Sequence, residues 1–171
     1  MFRTILVAGV AAGLIAGGIV SLVATILDHQ AVGAWGMAVG YLTMLIALSA
    51  IFVAVKQYRD AAGAIGFWRA FGMGLGVTLV ASVIYALCWE GALMVMGGPD
   101  AFIDSYVAGL SRDSAGAAQL QQMESMRASY RNPLMRLPLT MSEIAPVGIL
   151  VSLIAAALLR NPRFLPARRT A

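Results

Sequence analysis

Charge, cysteine and histidine are scarce in this 171-residue chain, and each scarcity closes off a class of function. At 12% charged residues it carries about half the roughly 25% of an ordinary soluble domain, too little to coat a compact body in water. The single cysteine, Cys88, excludes an internal disulfide, and the single histidine, His29, excludes a His-rich metal or proton-relay site. Any Ser–His or Cys–His arrangement would lean on His29 alone, and no phosphate-cradling glycine loop joins a strand to a helix. The chain is therefore read as non-enzymatic, with no catalytic residue, metal or cofactor. The ten methionines are scattered and read as adaptable packing, with no shared copper-binding face.

What is abundant is apolar: 60% of residues are hydrophobic, 18 are glycine, and mean hydropathy is +0.83. Four stretches are long enough to cross a hydrocarbon core of roughly 30 Å, which takes about 20 helical residues. They fall at about 5–27, 36–55, 67–96 and 138–159. The first is free of charge and lacks a convincing small-residue cleavage site before Asp28, so it is read as a retained anchor. In the third, Trp68-Arg69 and Trp89-Glu90 are interfacial residue types spaced roughly 31 Å apart along a helix. The fourth stops at Arg160, before Asn161-Pro162. Runs of this length without period-2 alternation mean helices. The expected fold is all-α: a polytopic membrane protein of four transmembrane helices, with two short amphipathic helices between the third and fourth.

The basic residues are divided unevenly. Arg3, Lys56, Arg59, Arg69, Arg160, Arg163, Arg168 and Arg169 fall on one side with a single acid, Asp60. Arg112, Arg127, Arg131 and Arg136 fall on the other, balanced by Asp28, Asp100, Asp104, Asp113 and Glu124. The positive-inside bias then puts both termini and the second loop in the cytoplasm, and residues 97–137 outside. The net charge of +4 is thus a topology signal and no pointer to nucleic acid. In the outward segment, Phe102, Ile103, Tyr106, Val107 and Leu110 recur at helical spacing behind Asp100 and Asp104. Ser114 can cap a second helix whose Leu120, Met123, Met126 and Tyr130 share a face, with Asn132-Pro133 ending it. An interfacial spacer and a lid over the bundle both fit that pattern.

Gly9, Gly13 and Gly17 form a small-residue ladder in the first span, and Gly72 and Gly76 another in the third. Such ladders let backbones approach closely, within one bundle or between two copies. Two carboxylates, Glu90 and Glu143, lie in or at the edge of spans, at a cost of roughly 2.5–3.5 kcal/mol at mid-bilayer, and each needs a partner or a role. Pro146 frees the Ser142 carbonyl beside Glu143. Tyr41 and Thr140 sit at similar depth. The expectation is an outward polar notch of Tyr41, Glu90, Thr140, Ser142 and Glu143, with Arg131 or Arg136 as counter-ions from the loop. These groups either fix the bundle by satisfying one another or bind a small ligand, lipid headgroup or cation. Tyr85 and Cys88 read as ordinary core residues. A proton path is disfavoured, since only Ser49, Thr78, Ser82 and Ser152 interrupt the inner halves.

The order of motifs is familiar: a glycine-rich first span, a second closing on Lys56-Gln57-Tyr58-Arg59-Asp60, a third opening near Gly66-Phe67, then Tyr130-x-Asn132-Pro133 and Glu143-x-x-Pro146-x-Gly148. Over nearly the whole chain it resembles the bacterial membrane family catalogued as domain of unknown function 4199. The resemblance implies a small bacterial inner-membrane protein and supplies no mechanism. Two functions follow as expectations: an accessory or scaffold subunit held in the lipid bilayer, with a membrane-protein partner or a second copy; or a transporter or ligand-binding protein using Glu90 and Glu143.

Overall fold

A computed structural model describes residues 1–26, 29–110, 121, 127 and 129–166, with only the backbone described at 29–37, 106, 109 and 110. Its elements are α1 (Phe2–Ile26), α2 (His29–Ala62), α3 (Phe67–Val95), α4 (Pro99–Leu110) and α5 (Pro133–Leu159). Among the described residues there is no strand. Four helical segments are long and apolar enough to span a membrane: Phe2–Ile26, Ala38–Ala62, Phe67–Val95 and Pro133–Leu159. The chain is a multi-pass all-α membrane protein.

Helix ends depart from the apolar runs where local chemistry overrides hydropathy. The second helix continues past Lys56, because Lys56 and Asp60 form an i,i+4 ion pair, and stops before Gly63 at φ +84°. After α3, Gly97 and Gly98 take φ +92° and +101°, and the Gly98 N–H donates to the Leu93 carbonyl at 2.7 Å. This is a glycine-built C-terminal stop, and Pro99 then opens α4 at a position where no N–H is needed. The main correction falls at Asn132-Pro133: the helical residues 129–131 stop at this pair, as expected, but the pair also starts the next helix, with the Asn132 side chain accepting the Leu134 N–H at 3.0 Å and Pro133 in the first turn. The last helix therefore begins at Pro133 instead of 138, and Arg136 is a helical residue in place of a loop residue. Of the two expected amphipathic helices, α4 is the first. The second falls largely outside the described residues.

The helices pack in the cyclic order α1, α3, α5, α2. The buried residues of α1 are all small: Gly9, Ala12, Gly13, Ala16 and Gly17. Its glycines meet Val80, Ile84 and Cys88 of α3, one helical turn apart on both helices and rising together, so α1 and α3 run parallel. In contrast, Gly74 faces Ser152 while Gly148 faces Thr78, which makes α3 and α5 antiparallel. The alternation is that of a chain crossing a bilayer four times. Gly76 meets Ile5, whereas Gly72 has nothing near it, so only half of the second glycine pair is used within the bundle.

At the basic end, Arg59 is 3% exposed. It donates to Asp60 and to the carbonyls of Phe164 and Leu165, at 2.8 and 2.5 Å for the last two. Phe164 meets Phe52 edge-on at 6.3 Å. These contacts tie the segment after α5 to α2.

Candidate functional site

The register of α3 against α5 decides which polar groups meet near the ends of these helices. As the fourth residue of α5, Arg136 comes level with Glu90 near the end of α3. Its Nε and Nη2 donate to the two Glu90 oxygens at 2.7 and 2.5 Å, a bidentate pair with Arg136 only 5% exposed. The third side-chain nitrogen, Nη1, donates to the Tyr130 carbonyl at 2.5 Å. Thr140, buried one turn further along, returns its hydroxyl to the Arg136 carbonyl at 3.1 Å and so stays within its own helix.

Aromatic side chains close over this pair. The Trp89 indole N–H donates to the Tyr130 hydroxyl at 2.8 Å. Phe102 of α4 stands edge-on to Trp89 at 5.3 Å and stacks on Tyr130 at 5.8 Å. The Arg136 guanidinium lies over the Tyr130 ring at 5.7 Å. Burial pushes the Tyr130 hydroxyl up to about 12, against a lowering from the Trp89 hydrogen bond. That keeps it a neutral phenol.

Glu143 lies two turns beyond Arg136, roughly 10 Å deeper. It is exposed, and it accepts one hydrogen bond, from the Tyr85 hydroxyl at 3.1 Å. Tyr85 itself is 2% exposed, so a buried phenol presents its polar tip to a carboxylate at the rim of the bundle.

The expected notch is thus only partly assembled. Glu90 and Arg136 meet, and Thr140 lies beside them. Glu143 bonds Tyr85 in place of Arg136, although its charge acts on the Tyr130 hydroxyl. Arg131 pairs instead with Asp100 at 2.7 Å, while Arg127 joins Asp104 at 2.8 Å, two exchanges between α4 and the approach to α5. Tyr41 is 56% exposed, with no hydrogen-bond partner among the described residues. Ser142 is exposed and folds its hydroxyl back to the Leu139 carbonyl at 2.6 Å. Both are excluded from the cluster by helix phase: equal depth does not bring side chains onto one face. Trp89, Tyr130 and Tyr85 are the additions. The sequence signal for them is partial: Trp89 stands beside Glu90 with Tyr85 one turn inward, whereas no aromatic residue flanks Glu143. Among the described residues, no group of three or more His, Cys, Asp and Glu is placed to hold a metal ion.

Four apolar helices in a closed order, with one charged pair held between the third and last of them, define a polytopic helical-bundle membrane protein. The chain belongs to the family described as protein of unknown function (DUF4199), whose family model matches residues 11–161. Comparisons with curated proteins and with solved structures found no match.

Proposed function

We propose that this protein is a non-catalytic accessory or scaffold subunit of a bacterial inner membrane, with both termini and the basic end of the bundle cytoplasmic. The observation that carries the reading is the Glu90–Arg136 pair. Its two charges are consumed in bracing α3 against α5, and the same guanidinium holds the chain entering α5 through the Tyr130 carbonyl. Such a pair has a fixed geometry, with both Glu90 oxygens held by the guanidinium. The orientation is supported by Arg3, Lys56, Arg59, Arg69, Arg160 and Arg163 gathering at one end with Asp60 as their acid, while acidic α4 lies at the other. Capture of the tagged full chain from native membranes in mild detergent tests the role. A stoichiometric companion membrane protein is the expected result, and a chain that runs alone at every detergent concentration rejects it.

A second reading, a ligand-binding or transport protein, is favoured by Glu143. This carboxylate is exposed inside a span and, among the described residues, takes one donor, so it can still accept a cation or a further hydrogen-bond donor. Glu143→Gln that folds normally but loses binding or flux would establish it, with Glu90→Gln as the structural comparison.

A further inference from the structure

We infer that the groove between α1 and α2 is a binding site for one acyl chain of an anionic phospholipid, with Arg3 taking the phosphate. The groove has a volume of about 700 Å³ and is open along its length. Small residues make its floor: Ala47 and Ala54 are buried, and Ala8 and Ala50 half-buried. Its rims are large and exposed, with Ile15 of α1 and Ile46 and Val53 of α2 standing clear of the bundle. The cause lies in α1, which turns its glycines to α3 and leaves alanines toward α2, whose facing residues are alanines too. Two small-residue faces meet and leave a furrow.

Three observations select the occupant. The furrow lies wholly within two membrane spans, so lipid is the solvent that must fill it. Between Arg3 and Ile15 it runs about 18 Å along α1 at 1.5 Å per residue. That is close to one leaflet, half of a hydrocarbon core of roughly 30 Å. Finally, three of its four polar residues, Arg3, Thr4 and Gln57, gather at one mouth, while the fourth, Ser49, spends its hydroxyl on the Ile46 carbonyl of its own helix at 2.6 Å. Arg3 is exposed and has no ion-pair partner among the described residues, whereas nearby Lys56 and Arg59 are both engaged by Asp60. An unneutralised guanidinium at the interface, above a leaflet-length apolar furrow, is complementary to a phosphate with an acyl tail. The inference rests on α1 and α2 alone and stands apart from the proposed accessory role.

The test uses the full chain in nanodiscs of equal phosphatidylglycerol and phosphatidylcholine, followed by release into mild detergent and native mass spectrometry. Retained lipid should be enriched in phosphatidylglycerol by about fivefold, the factor one arginine contributes at an anionic surface. Arg3→Gln should bring the retained lipid back to the bulk ratio, and Arg3→Lys should keep the enrichment. Ala11→Leu/Ala50→Leu, which fills the furrow, should abolish retention while helical circular dichroism is unchanged. Retention in the bulk ratio by the unaltered chain overturns the inference, as does enrichment that survives Arg3→Gln or cross-linking that places a second copy over the groove. If the filled variant does not fold, the Arg3 variants alone decide.

Discussion

Removing one member of the Glu90–Arg136 pair strands the other in a water-poor setting, and the penalty is that of an unpaired charge. Arg136→Ala should lower stability by about 3–5 kcal/mol, read by reversible unfolding in mixed micelles. Glu90→Gln with Arg136→Met should recover a good part of that loss, because a neutral pair of similar volume leaves no charge behind. Tyr130 adds a pH dependence of definite sign. Its hydroxyl is held up to about 12, against an ordinary tyrosine value of 10.0. The contribution of Tyr130 to stability is therefore complete below pH 10 and is lost as pH rises toward 12, since its hydroxyl ionises first in the unfolded chain. Tyr130→Phe should flatten that decline relative to the unaltered protein. The acids were legible in the sequence as residues needing partners. Arg136 reads there beside Arg131 as a counter-ion, but as a loop residue; that it reaches Glu90 from inside α5 shows only once the Asn132 cap and Pro133 are seen to start that helix, and Tyr85 reads as core until its hydroxyl is placed.

Between helices, the glycines divide by what stands opposite them. A Cβ at Gly13 would come within 2.6 Å of the Ile84 Cβ and 2.7 Å of the Ala81 carbonyl. Gly13→Ala should therefore destabilise the α1–α3 contact by about 1–3 kcal/mol through overpacking. Gly72 has no atom within 4 Å of such a Cβ, and Gly72→Ala should be neutral or stabilising by up to about 1 kcal/mol through helix propensity. Equilibrium unfolding of the two variants side by side checks both signs. In spacing alone the two ladders look alike, since periodicity places glycines on a face without naming the neighbour. A further element-level consequence concerns Arg59, whose donors hold the carbonyls of Phe164 and Leu165. Arg59→Ala should release that segment, and limited proteolysis should then cut after Arg160 or Arg163 severalfold faster.

For the whole molecule, the alternation of parallel α1 and α3 with antiparallel α5 puts the α3–α4 connection at the end opposite Gln57 and Arg163. In sealed inside-out and right-side-out vesicles of a Cys88→Ser background, single cysteines at Ser105 and Gln57 should label from opposite sides. Labelling of both from one side contradicts a four-pass chain. The number of spans and the segregation of basic residues needed no coordinates, because hydropathy over some 20 residues and flanking charge are local properties that the bilayer reads one segment at a time. Which glycine ladder is filled, which arginine meets Glu90, and that α1 and α2 leave a furrow depend on the phase and register of helices far apart in the chain. Those are set by side-chain packing across interfaces, to which no single segment holds the answer.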